Sequence, residues 1–120
     1  MLKLDGLDAG YGVVQVLRGL TLEARAGEVT CVMGRNGAGK TTMLRAVMGQ
    51  VALTTGAIFL DDVRIDTLPA HEVARHGIGY VPQGRRLFGP LTVAENLEIG
   101  LMARGCGAAT RARVLDLFPR

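Results

Sequence analysis

Apolar and polar residues alternate at residues 2–5 (Leu-Lys-Leu-Asp) and again at 20–24 (Leu-Thr-Leu-Glu-Ala), a pattern that predicts half-buried strands. Ala26-Gly27-Glu28 then reads as a turn into Val29-Thr30-Cys31-Val32-Met33, an apolar, β-branched run that predicts a buried strand. From Thr42 to Met48 the period changes. Leu44, Val47 and Met48 fall at i, i+3 and i+4, predicting a helix with one buried face, and Gly49 is suited to stop it in a left-handed conformation. Thr54-Thr55-Gly56 predicts a turn and Ala57-Ile58-Phe59-Leu60 a strand. Thr67-Leu68-Pro69 opens a short helix that Gly77 closes, and Ile78-Gly79-Tyr80-Val81 is a short apolar strand ended by Pro82. Thr92 and Glu95 have the spacing of a capping box, which starts a helix to about Leu101. Gly105-Cys106-Gly107 interrupts it, and a last helix runs from about Thr110 to Phe118.

Between the apolar run at 29–33 and the helix after it lies Gly34-Arg35-Asn36-Gly37-Ala38-Gly39-Lys40-Thr41-Thr42, which matches G-x-x-x-x-G-K-[ST]. Gly34, Gly37 and Gly39 lack a Cβ, so the backbone can take positive φ and approach an anion closely. Successive N–H groups can then turn inward, and the start of the helix adds its free donors and the positive end of its dipole. Lys40 supplies charge for the β- and γ-phosphates, and the Thr41 hydroxyl is placed for Mg²⁺. The competing reading is a glycine-rich turn that binds nothing. Strand, loop, Lys-Thr and helix in that order favour phosphate binding.

Ala57-Ile58-Phe59-Leu60-Asp61-Asp62 has the outline of a Mg²⁺-holding strand that ends in acids. Val63-Arg64-Ile65 then returns apolar-polar-apolar, which predicts a hairpin with Asp61 and Asp62 at its turn. The 120 residues leave room for one domain; their hydrophobic content is 48% and their mean hydropathy +0.26. Charges or glycines interrupt every apolar run, so no membrane span and no direct membrane insertion are expected. The start, Met1-Leu2-Lys3-Leu4-Asp5, lacks the long apolar stretch of a secretion signal, which predicts a cytoplasmic protein. The net charge of +3 is spread out, densest at Arg85-Arg86 and at Arg111, Arg113 and Arg120, and the few aromatics are far apart. That patterning suits solvated surface and predicts no nucleic-acid partner. Two cysteines without C-x-x-C spacing predict neither a zinc site nor a disulfide framework, and Cys31 reads as a small core residue. His71 and His76 read as helix-surface residues.

These motifs resemble the ATP-binding subunits of ABC transporters. Asn36-Gly37 before Ala38-Gly39-Lys40-Thr41-Thr42 is the form that this family's loop takes. Tyr11, in Gly10-Tyr11-Gly12, matches the family's adenine-stacking aromatic, and Gln83, in Tyr80-Val81-Pro82-Gln83, matches its Q-loop glutamine at the Mg²⁺ and attacking water. Asp62 departs from the family, which more usually has glycine there. Gly84-Arg85-Arg86-Leu87-Phe88 and Leu91-Thr92-Val93-Ala94-Glu95-Asn96-Leu97 resemble the importers of branched-chain amino acids, urea and short amides, and residues 33–37 and 80–85 the urea-type subunit.

The resemblance implies an α/β fold of the P-loop NTPase, ABC ATPase type, with an N-terminal antiparallel β part. Residues 1–120 correspond to the N-terminal portion of one such domain, before the family's signature loop, catalytic glutamate and switch histidine. The implied site is Tyr11, Gly34, Arg35, Asn36, Gly37, Ala38, Gly39, Lys40, Thr41 and Thr42 for nucleotide, Lys40 and Gln83 for catalysis, and Thr41 and Gln83 for metal, with ATP and Mg²⁺ as cofactors. The implied partners are transmembrane permease subunits and a second ATP-binding subunit, which would hold the protein at the inner face of the membrane. Residues 1–120 alone are expected to bind ATP without turning it over and to be poorly soluble. The alternatives are a non-catalytic nucleotide-binding fragment and another P-loop NTPase: a GTPase, a small-molecule kinase or a DNA-repair ATPase. The chain has no guanine-reading N-K-x-D motif.

Overall fold

Strand β1 (Leu2–Tyr11) lies between two antiparallel neighbours, β2 (Val14–Ala24) and β3 (Leu53–Leu60). A short β4 (Val63–Arg64) completes a four-stranded sheet of order β2-β1-β3-β4. This computed structural model describes residues 1–102, 105 and 107–119. Cys106, in the expected break, and Arg120, in the basic tail, lie outside the described residues. The described chain divides into two units, one from Met1 to Ile78 and one from Gly79 onward.

In the first unit the alternation at 2–5 and 20–24 is realised in longer strands. Leu4, Leu7 and Ala9 of β1 and Ile58 of β3 are buried. Removing side chains the size of Leu4, Leu7 and Ile58 from water stabilises the unit by about 1.5–3 kcal/mol each. The turn expected at Thr54-Thr55-Gly56 is not there: these residues run inside β3, with Thr55 opposite Asp8 and Ala57 opposite Asp5. The glycine answers a close approach instead. The register of β1 slips between Asp5 and Asp8, and a Cβ on Gly56 would lie 2.6 Å from the carbonyl oxygen of Gly6. Asp8 pins the slip from both sides, accepting from the Gly19 N–H at 2.6 Å and the Thr55 hydroxyl at 2.8 Å.

Asp61 and Asp62 form the expected two-residue hairpin turn, with φ of +46° and +67°, between the pairs Leu60–Val63 and Phe59–Arg64. Positive φ at both positions is the turn geometry that matches strand twist. Asp61 also pairs with the Met1 ammonium. Beyond the hairpin, Asp66 accepts from the Ile58 N–H at 2.9 Å and from the Arg64 guanidinium at 3.0 Å.

Helix α1 (Lys40–Val47) packs on β1 and β2, and Gly49 follows it at φ +71° as expected. Its buried side matches the expected one at Val47 and Met48 but not at Leu44. Thr42, Met43, Ala46 and Val47 face inward, while Leu44 is 47% exposed. Thr42 takes an inward place because its hydroxyl meets a polar partner, Tyr11, and residue 44 then falls on the far side of the helix. Helix α2 (Ala70–Arg75) starts after Pro69, with Val73 buried and His71 exposed.

The apolar runs at 29–33 and 78–81 do not form the expected strands. Both are irregular and without ladder partners among the described residues, and Val29, Met33 and Val81 are almost fully exposed. Cys31 is exposed too, not a core residue. Apolar, β-branched composition favours a strand only when a neighbour takes its N–H and C=O groups, and none does so here.

In the second unit, α3 (Val93–Met102) carries the capping box: the Thr92 N–H donates to Glu95 Oε2 at 2.8 Å and the Glu95 N–H to the Thr92 hydroxyl at 3.2 Å. Asn96 fastens the preceding loop, accepting from the Phe88 N–H and donating to the Phe88, Leu91 and Thr92 carbonyls. Helix α4 (Ala108–Leu117) is joined to α3 by the Arg111–Glu98 pair. No described helix is long and apolar enough to cross a membrane.

Candidate nucleotide-binding site

The loop from Gly34 to Gly39 turns at Arg35–Ala38, where the Ala38 N–H donates to the Arg35 carbonyl at 3.2 Å. Gly37 and Gly39 take φ of +81° and +101°, the freedom expected of them. Gly34 does not have positive φ, and a Cβ there would make only ordinary contacts, at 3.6 Å and beyond. Gly39 is the most constrained. It forms the N-cap of α1, and a Cβ on it would meet Leu17 Cδ2 at 3.0 Å and Val16 Cγ1 at 3.3 Å. Strand β2 therefore presses directly on the last glycine of the loop.

Helix α1 begins at Lys40 with no acid in its first turn, and its first internal bond runs from the Met43 N–H to the Gly39 carbonyl. The N–H groups before Met43 precede the first intrahelical bond and face the loop end of the helix, where the dipole favours an anion. Lys40 folds back over the loop and donates to the Gly34 carbonyl at 2.5 Å and the Arg35 carbonyl at 2.7 Å. Thr41 is exposed at the helix start, where its hydroxyl can meet a cation, whereas Thr42 is buried. Among the described residues there is no cluster of three or more His, Cys, Asp and Glu that could hold a metal ion. A Mg²⁺ fits here only as the ion commonly binds with nucleotides, through few protein oxygens plus phosphates.

Tyr11, at the end of β1, stands beside this helix. Its hydroxyl is 3.4 Å from Thr42 Oγ1 and accepts from Arg45 Nη1 at 3.3 Å. The Arg45 guanidinium also lies 5.8 Å from the ring centre, yet the tyrosine remains 44% exposed. The first unit thus brings together Tyr11, the loop residues 34–39, Lys40, Thr41 and Thr42. Arg45 was not among the residues singled out from the sequence. Its signal was spacing alone: three residues after Thr42, it shares that residue's side of the helix. Gln83 belongs to the second unit, exposed in a bend, and its carbonyl accepts from Arg86 Nε at 3.4 Å.

The family profile of the ABC transporter matches residues 17–119, which include the loop and the helix after it. The chain belongs to the ABC transporter family. It is 36% identical over 122 residues to the high-affinity branched-chain amino acid transport ATP-binding protein BraG of Pseudomonas aeruginosa, covering all of this chain and 52% of that protein. It is 40% identical over 103 residues to the lipopolysaccharide export system ATP-binding protein LptB of Escherichia coli, covering 86% of this chain and 43% of that one. The chain therefore spans about half the length of the curated relatives it matches. Among solved structures it is similar to a dimeric ATP-binding cassette in a post-hydrolysis state bound to ADP and Pi. There the TM-score is 0.76 at 30% identity, over 90% of this chain and 50% of that one. The expected fold class, ABC ATPase type with an N-terminal antiparallel β part, is the one found.

Proposed function

We propose that this chain holds the phosphates and base of ATP, with Mg²⁺, as the N-terminal portion of the ATP-binding subunit of an ABC importer. The observation that carries the reading is the position of Tyr11 beside α1, the helix whose N-terminus closes the glycine loop. One helix then serves both ends of a nucleotide. Gly37 and Gly39 shape the loop, the first-turn N–H groups and Lys40 meet the phosphates, and Thr41 offers its hydroxyl to the metal. A Mg²⁺ held with the Thr41 hydroxyl would supply charge neutralisation at the phosphates. Gln83 would act at the metal and the attacking water. Lys40 already donates to the Gly34 and Arg35 carbonyls, and because its ammonium carries three donors it can also meet a phosphate oxygen from there.

The proposed partners are permease subunits in the membrane, which hold this protein at its cytoplasmic face, and a second ATP-binding subunit that completes the site. The proposed cargo is branched-chain amino acids, urea or short amides. The likeness to BraG and the form of residues 84–97 support it. Residues 1–120 on their own are proposed to bind ATP without turnover. Titration calorimetry with Mg·ATP tests the core of the reading: the Lys40→Ala variant should lose most of its affinity, and unchanged affinity would overturn the site. Steady ATPase activity of the purified chain that depends on Lys40 would overturn binding without turnover.

A further inference from the structure

We propose that Arg45 is a positioning residue of the nucleotide site, fixing the Tyr11 ring from its hydroxyl end so that the ring can receive the base. The inference rests on the reading of Tyr11 as a base-stacking residue. Tyr11 is the last residue of β1, paired with Val14 of β2, so the sheet fixes its backbone but not the orientation of its ring. The side chain is held from α1 instead. Arg45 donates to the phenol oxygen, lies 5.8 Å from the ring centre and is itself half-buried, while Thr42 approaches the same oxygen. A guanidinium at the hydroxyl end of the ring, donating to the oxygen and still within reach of the π cloud, restrains the ring without covering a face. Tyr11 remains 44% exposed, which leaves room for a planar ligand against the ring.

The arrangement also sets a distance. Arg45 follows Lys40 by five residues on one short helix, so the base platform and the phosphate donors move as a single body. A fixed spacing lowers the entropy lost when a nucleotide bridges them. The plain structural role for Arg45 is charge at the C-terminal turn of α1, where a cation complements the helix dipole. That role concerns helix stability and is blind to whether a ligand carries a base.

The test compares binding of ATP and of inorganic tripolyphosphate to the purified protein by calorimetry. Arg45→Met keeps the length and apolar stem but removes the cation and donor. It should weaken ATP by about three- to tenfold and leave tripolyphosphate unchanged. Arg45→Lys should recover most of the ATP affinity, and adding Arg45→Met to Tyr11→Ala should cost nothing further. Equal losses for both ligands, no loss for either, or additive effects of the two substitutions would each overturn the role of Arg45. If Tyr11→Ala itself leaves ATP binding intact, the stacking reading fails and takes this inference with it. If Tyr11→Ala weakens ATP alone while Arg45→Met does not, only the inference fails.

Discussion

Gly39 and Leu17 are packed so closely that a Cβ on the glycine would stand 3.0 Å from Leu17 Cδ2. Leu17 is 5% exposed and cannot swing into solvent without opening the core. With φ of +101° at the same residue, Gly39→Ala combines backbone strain with crowding and should cost about 1–3 kcal/mol by urea denaturation. Nucleotide affinity should fall with it, because the displaced residue is the N-cap of α1. A neutral Gly39→Ala would mean that β2 does not brace the loop.

Lys40 spans the glycine loop by bonding to the Gly34 and Arg35 carbonyls. Without nucleotide, Lys40→Ala should therefore speed hydrogen exchange at residues 34–38 while amides in β1 and β3 keep their protection. Lys40→Arg should preserve part of the slowing. Equal exchange in all three proteins would refute the clasp.

Asp62 adopts φ of +67° at the hairpin turn, a conformation that glycine reaches without strain. Asp62→Gly should raise stability by on the order of 1 kcal/mol. Neither it nor Asp61→Asn should change ATP affinity, because both acids serve the end of a hairpin. A metal-dependent loss of binding in either variant would restore the reading of this segment as a Mg²⁺-holding strand.

Burial raises the pKa of the Asp66 carboxyl, but hydrogen bonds from Arg64 and the Ile58 N–H lower it more, leaving it below its ordinary value of 3.8. A carboxylate lowered on folding adds stability above its unfolded pKa and loses it as pH falls through the folded one. The loss should start near about pH 4 and be complete only well below it. Asp66→Asn should flatten that limb of a stability–pH curve. Asp66→Ala should cost about 1–3 kcal/mol near neutral pH, because the Ile58 N–H loses its acceptor. Parallel curves for wild type and Asp66→Asn would refute the assignment.

Thr92 and Glu95 close the start of α3 reciprocally. Thr92→Ala should lower helix content in the second unit and cost about 1 kcal/mol, measured by far-ultraviolet circular dichroism during thermal unfolding. An unchanged melt would show that the cap carries no net stability.

What could be read in advance was local. The capping box, the Asp61-Asp62 turn, the Pro69 helix start and the glycine loop each depend on residues within a few positions of one another, and each is realised. Several expectations failed because their causes lie elsewhere in the chain. Gly56 turns out to be a close-approach residue only because β1 slips register beside it. Leu44 faces outward because Thr42 is held by Tyr11, 31 residues upstream. The runs at 29–33 and 78–81 have strand composition but no ladder, and composition cannot supply a neighbour. In the candidate site, the loop and Tyr11 were visible by motif, whereas Arg45 became visible only once β1 and α1 stood side by side.

Residues 29–33 have a practical consequence for anyone handling the protein. Their side chains favour extended backbone, and that backbone offers itself to any similar segment nearby, including the same five residues of another copy. Self-assembly seeded at this point would grow with concentration and fall with dilution. A charged residue in place of Val29 or Met33 is then the first change to make when preparing the protein for measurement.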